Sequence, residues 1–194
     1  MKNIWNSRTQ ASLVTLLALY AAGLAAGILF ANLTFPFRDG SADVLAAYLA
    51  DRMKDGIVPS REYFLYLLER RSAGFLCFML AGMTAAARPA IWLGAAGAGF
   101  LTGAAQSMAL LQSGIRGMLL LSAAGFPQYL FYGPSMVSLW LLADQKGGKI
   151  WKARAGLWKT YLWGGFLCYL GLLAGIFLEA YGNPYFLKWF FGWF

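Results

Sequence analysis

The chain of 194 residues is 60% hydrophobic and only 12% charged, with a net charge of +8. A soluble globular chain carries about twice that charged fraction, and so small a body cannot bury this much apolar surface within itself. The composition excludes an ordinary soluble enzyme and predicts a single integral membrane domain over residues 1–194, whose positive charge meets anionic lipid headgroups and not nucleic acid.

Charge-free runs mark the membrane spans in chain order. The first holds ASLVTLLALYAAGLAAGILF, Ala11 to Phe30, between Arg8 and Arg38. It follows a basic start, Lys2 and Arg8, but its apolar core is longer than that of a cleaved leader and no A-x-A site closes it, so an uncleaved anchor is expected. The polar segment 31–71 comes next, with six Lys/Arg balanced by six Asp/Glu. Within it SADVLAAYLADRMKDG places Val44, Leu45, Tyr48, Leu49 and Met53 at helical spacing, which predicts an amphipathic helix ending at Gly56. Such a helix serves equally as a solvated linker or as a docking surface. Pro59 restarts the chain, and Ser60 is positioned to cap a further helix.

The second run, Ser72 to Ala87, is 16 residues long. It reaches only about 24 Å into a core about 30 Å thick, so the span extends backward through YFLYLLERR, with Glu69, Arg70 and Arg71 at the interface. Arg88 and Pro89 form a turn before the third run, Pro89 to Ile115. Arg116 separates it from the fourth, Gly117 to Ala143, which has no charge but carries Pro127, Gln128 and Pro134. The segment Asp144 to Lys159 then sets five basic residues against one acid, with Trp151 and Trp158 among them. The fifth run is Thr160 to Leu178, after which Asn183 and Pro184 are expected to stop the helix. Seven of the last ten residues are aromatic, a composition suited to the headgroup boundary. The expected fold is all-α: a polytopic bundle of about five transmembrane helices, the fourth broken or kinked at Pro127 and Pro134.

The dense basic cluster of 144–159 reads as cytoplasmic. That places the N-terminus inside as well, and the neutral 31–71 loop and the aromatic tail 183–194 outside. Lys/Arg residues number eight on each side, so the orientation rests on that one cluster.

Small residues four apart occur at Gly23/Gly27, Gly99/Gly103 and Gly171/Gly175. They predict close helix packing within the bundle and, secondarily, a face for a homo-oligomer. Each proline in the fourth run withholds a backbone donor, and carbonyls left unpaired in lipid cost several kcal/mol each. This run is therefore expected to face protein or a polar cavity, with Gln128 and its possible companion Gln106 supplying hydrogen bonds. Two forms fit: a kinked crossing, which is favoured, or a re-entrant pair of half-helices. Acid–base chemistry finds little support. There is no histidine, Cys77 and Cys168 lie inside apolar runs, and Asp and Glu are missing from the span interiors, with Glu179 at the exit of the fifth. No catalytic residue, cofactor or metal ligand is assigned.

The stretch GFLTGAAQSMALLQSGIRGMLLLSAAGFPQYLFYGP, Gly99 to Pro134, resembles stage II sporulation protein M. In that family a glycine-rich span leads through a short turn into a Leu-rich run and a Pro-Gln pair. The family reads Leu-Pro-Gln-Asn where this chain has Phe126, Pro127, Gln128 and Tyr129. GILFANLTF after the first span, and a polar helix-bearing loop before the second, stand in similar order. The resemblance implies a non-catalytic membrane scaffold of sporulation. Such a protein recruits and localises peptidoglycan-degrading partners, stage II sporulation proteins P and D, during engulfment. Gly99, Gly103, Gln106, Arg116, Pro127, Gln128 and Pro134 are the candidate structural and interaction residues. The rival reading is a small transporter or permease subunit whose broken fourth span lines the substrate path. Against it stand the lack of a buried charge and of an internal repeat.

Overall fold

The computed structural model describes residues 2–34, 61–150, 157–183, 185, 186 and 189. The amphipathic helix expected before Gly56, the cap at Ser60, Trp151 and Pro184 fall outside the described residues. Apart from the turn at 82–86, every described residue is helical. Helix α1 is Lys2–Thr34, α2 is Arg61–Ala81, α3 is Ala87–Leu142 and α4 is Leu157–Phe177. A π-helical turn, Ala143–Gly147, follows α3, and a second, Leu178–Gly182, prolongs α4. Three helical stretches are long and apolar enough to cross a membrane: Thr9–Thr34, Ala87–Lys146 and Leu157–Gly182.

The longest of these is not straight. Gly114 has φ 64° and ψ −157°, and it is the non-helical residue within α3. Gln106 Nε2 donates to Ser122 Oγ over 3.1 Å although the two stand 16 residues apart. In a continuous helix that separation would be about 24 Å. Arg88 Nε likewise reaches Asp144 Oδ1 at 3.1 Å, 56 residues on. The chain therefore reverses at Gly114, and α3 is a hairpin of two antiparallel arms, 87–113 and 115–142, each about 40 Å long. The turn sits at the boundary between the third and fourth apolar runs. Pro127 and Pro134 keep helical dihedrals, so no backbone break falls at either proline. The conformation at Gly114 is essentially closed to other residues. Gly114→Ala should lower the stability of the purified bundle by ~2 kcal/mol, read from thermal unfolding in detergent.

The turn between α2 and α3 also lies earlier than expected, at 82–86 instead of Arg88–Pro89. Thr84 organises it, accepting from the Ala86 N–H at 3.2 Å and donating to the Ala81 carbonyl at 2.7 Å. Pro89 then falls in the first turn of α3, where its missing N–H costs nothing.

The contacts fix the helix directions. Gly23 and Gly27 lie against the backbone of Ala96 and Phe100, while Gly99 and Gly103 lie against that of Tyr20 and Leu24. Positions rise together on both partners, so α1 runs parallel to the first arm of α3, the two glycine pairs interlocked. A Cβ at any of the four would overlap a carbonyl oxygen of the neighbour. Asn32 Nδ2 to Ser107 Oγ, 3.2 Å, extends the seam. Gly171 and Gly175 likewise face Ser135 and Tyr132 of the second arm. All three small-residue pairs are thus occupied within the chain.

Arg71 meets Glu179 and Tyr161 meets Met79, so α2 is antiparallel to α4. The second arm of α3 is antiparallel to α4 as well, Tyr132 meeting Glu179 and Gly164 meeting Leu142. Directions therefore alternate in chain order through α1, α2, the two arms and α4. One core gathers Leu67, Phe75, Tyr132, Leu139, Leu172 and Ile176, and another Leu16, Ile91, Ala95, Trp140 and Tyr161. Large apolar side chains cover the outside, among them Leu17, Leu33, Leu93, Leu101 and Trp163, as a lipid-facing surface requires. At one end Asp144 ties the bundle together, accepting from Ser12 Oγ at 2.7 Å as well as from Arg88.

Candidate functional site

A polar seam lies between the second arm of α3 and α4, with α2 closing one side. On α3 it uses Gln128, Tyr132 and Ser135, spaced by four and three residues so that they share a helix face. On α4 and its π-helical turn it uses Gly171, Gly175, Glu179 and Asn183, each one turn beyond the last. The glycines make room. An added Cβ at Gly175 would lie 2.6 Å from the Tyr132 ring, and one at Gly171 would overlap the Ser135 hydroxyl. Because Gly175 admits the ring, the Tyr132 hydroxyl reaches the carboxylate one turn along.

Glu179 is 7% exposed. Its Oε2 accepts from the Tyr132 hydroxyl at 2.6 Å, and its Oε1 accepts from the Arg71 guanidinium at 3.2 Å. The Arg71 guanidinium also lies over the Tyr132 ring, 5.3 Å from its centre. The Arg71 side chain keeps 46% exposure and extends from the buried carboxylate toward the surface. An isolated carboxylate between helices would be costly to desolvate; a partner charge and a second donor offset that cost. The pair is electrically neutral and joins three helices at one point. Next to it, Ser72 and Tyr169 share a 2.8 Å hydrogen bond, and Phe75 packs its ring 5.6 Å from that of Tyr169.

The upper part of the seam is made of amides. Gln128 Nε2 donates to the Ala124 carbonyl at 2.8 Å, and Asn183 Nδ2 donates to the same carbonyl at 2.9 Å. Pro127 removes the donor that Ala123, not Ala124, would have received, so Gln128 caps the carbonyl next to the expected one. Asn183 does not stop the helix. It and residues 185 and 186 are helical, and Phe186 stacks on Phe126 with ring centres 6.5 Å apart.

The sequence-derived candidates divide into separate places. Gln128 is in the seam. Gln106 is not its companion; it bonds to Ser122 across the hairpin. Gly99 and Gly103 seat α1. Arg116 is exposed two residues past the turn, Pro127 is half-buried beside the seam, and Pro134 faces outward. The triad Arg71–Tyr132–Glu179 was not read from the sequence, where Glu179 stood at a span exit and Arg71 at an interface. The available signal was their shared oddity: an arginine and a carboxylate each bordering an otherwise apolar run.

Among the described residues no three His, Cys, Asp or Glu side chains group as metal ligands. A carboxylate held by both oxygens, beside hydroxyls bonded to each other, cross-links the helices at this point. In comparisons with known proteins, no family model, no curated protein and no solved structure matched this chain.

Proposed function

We propose that the chain is a membrane scaffold of five crossings, without catalytic activity of its own, that holds partner proteins at the bilayer. The observation carrying this reading is the use made of the buried polar groups. Glu179 is engaged by Tyr132 and Arg71 at once, and Ser72 by Tyr169, so these groups lock helices to one another. The alternating directions of α1, α2, the two arms of α3 and α4 support five successive crossings. In this reading the N-terminus and the basic 144–159 segment are cytoplasmic, and the 31–71 loop and the tail are outside. The resemblance of Gly99–Pro134 to stage II sporulation protein M supplies the partner class: peptidoglycan-degrading enzymes of engulfment, the stage II sporulation proteins P and D. Crosslinking in native membranes followed by pull-down should recover wall hydrolases with the chain. Recovery of none, with the protein folded, removes the scaffold reading.

Topology has its own check. In a thiol-free variant, cysteines placed at Asp51 and Lys152 should react with an impermeant maleimide from opposite sides of the membrane. Labelling of both in intact cells overturns the arrangement.

One observation favours the rival reading, a small transporter or permease subunit. The sequence argument against transport was the lack of a buried charge, yet Glu179 is a buried carboxylate within a π-helical turn. Intramembrane carboxylates recur along ion and proton paths. Solute movement by the purified chain alone in liposomes would decide for transport.

A further inference from the structure

We propose that the outward face of α2 pairs with a second copy of this chain, Glu69 of each copy meeting Arg70 of the other. The inference rests on α2 being one of the five crossings.

The depth of these two charges is the first observation. Ser72 Oγ and the Tyr169 hydroxyl lie 2.8 Å apart, and Tyr169 is the middle residue of the charge-free run 160–178. Arg70 and Glu69 stand two and three residues before Ser72, within about 5 Å of it along the helix axis. At the far end of α2 the turn residue Gly82 lies against Ala143, the neighbour of Asp144. From Gly82 back to Arg70 the chain rises about 18 Å, well into a hydrocarbon core about 30 Å thick. Their place in the sequence suggested an interface; the packing of α2 on α4 carries both residues inward.

Their direction is the second. Leu67, Ser72 and Phe75 are buried against the bundle, whereas Tyr66, Glu69, Arg70, Ala73, Cys77 and Leu80 are exposed. At 3.6 residues per turn, Tyr66, Ala73 and Cys77 follow the middle of the outward face, with Glu69 on one flank and Arg70 on the other. Consecutive helical residues do not face each other, so the two charges are not aimed to neutralise one another within the chain. Charges directed at lipid are costly, and in membrane proteins they turn toward protein or water. A long arginine stem can reach toward the headgroups; the shorter glutamate cannot follow it.

The charge pattern selects the occupant. Copies of one chain inserted in the same orientation pair about a two-fold axis along the bilayer normal, with their α2 helices parallel. Under that axis the left flank of one helix meets the right flank of the other. Glu69 therefore comes opposite Arg70 of the second copy, and Arg70 opposite its Glu69, at a single depth. One acid and one base on opposite flanks make the face complementary to itself, and each charge gains a partner away from water. Ala73 and Cys77 are small and lie between the flanks, which lets the backbones approach. The three glycine pairs take no part, since each is already engaged within the chain.

The test uses the full chain in native membranes, with Cys77 and Cys168 replaced by alanine. On oxidation Ala73→Cys should give a disulfide-linked dimer, whereas Leu93→Cys, on the exposed side of α3, should stay monomeric. Adding either Glu69→Arg or Arg70→Glu to Ala73→Cys should cut the dimer yield roughly tenfold, because like charges then meet. Making both changes together exchanges the flanks and should restore the yield. All of these side chains lie outside the core, so each variant should melt near the parent in detergent. No dimer from Ala73→Cys, or an equal yield from Leu93→Cys, overturns the proposal without any change of charge and leaves another protein as the occupant. Single reversals without effect, or a double exchange that fails to restore the dimer, overturn it as well. Recovery of wall hydrolases is read separately from the dimer, so failure here is distinct from failure of the scaffold reading.

Discussion

Gly99→Leu should unfold the purified bundle at a markedly lower temperature than the parent, while Gly97→Leu, two residues away on the same helix, should melt close to it. At Gly99 an added Cβ would overlap the Tyr20 carbonyl oxygen and crowd the Leu24 nitrogen, atoms of a helix backbone that cannot swing aside. At Gly97 the same atom meets nothing within 4 Å. Overpacking a tight interface costs about 3 kcal/mol at the upper end of its usual range, which for a chain of this size lowers the melting temperature by about 10 °C. Gly23, Gly27 and Gly103 lie in the same interlock and should respond in the same direction. In lipid there is no hydrophobic drive between helices, so close backbone approach is what holds α1 to α3. Equal melting of the two leucine variants in detergent or nanodiscs would show that α1 is not seated on these glycines.

Glu179→Ala should be the other severe change. It removes the acceptor of both Tyr132 and Arg71 and leaves a buried hydroxyl unpaired. Loss of one member of a buried ion pair costs about 3–5 kcal/mol; because Arg71 retains access to the surface, the lower part of that range or somewhat less, about 2–3 kcal/mol, is expected. The double variant Glu179→Ala with Arg71→Met separates a cross-link from a mere buried charge. With both charges gone, part of the loss should be recovered, because no guanidinium is left stranded beside the Tyr132 ring. A strictly additive double variant, read by thermal unfolding, would mean that the two residues act independently and that the 3.2 Å contact contributes nothing.

The two variants probe different parts of the molecule with different legibility. The small-residue pairs stood out in the sequence as tight packing, and the structure gives each its partner: α1 with the first arm, and α4 with the second. What spacing alone did not reveal was which pair meets which, since a G-x-x-x-G fits any helix of suitable direction. The charge-free runs separated by Arg88, Arg116 and the 144–159 segment located the helices within a few residues. Residues with strong local preferences misled in detail. Pro89, Pro127 and Pro134 invited turns or breaks, yet one lies in a first helical turn and two lie inside a helix, because a tertiary neighbourhood tolerates a missing N–H. The actual reversal needed the one conformation only glycine enters readily, at Gly114.

Glu179 shows the opposite failure. Counting along the chain placed it at an exit and therefore near water. In the fold, the π-helical turn carries it on past the apolar run while Arg71 from α2 and Tyr132 from α3 close over it. Composition and the spacing of charges thus determined, by themselves, that the chain is helical and suited to a membrane, since the cost of exposing apolar surface to water is a property of the residues alone. Which helix pairs with which, where α3 folds back and whether a carboxylate is buried were decided only by tertiary structure. Those outcomes depend on distances between residues 16, 47 or 108 positions apart, and no local preference encodes such a distance.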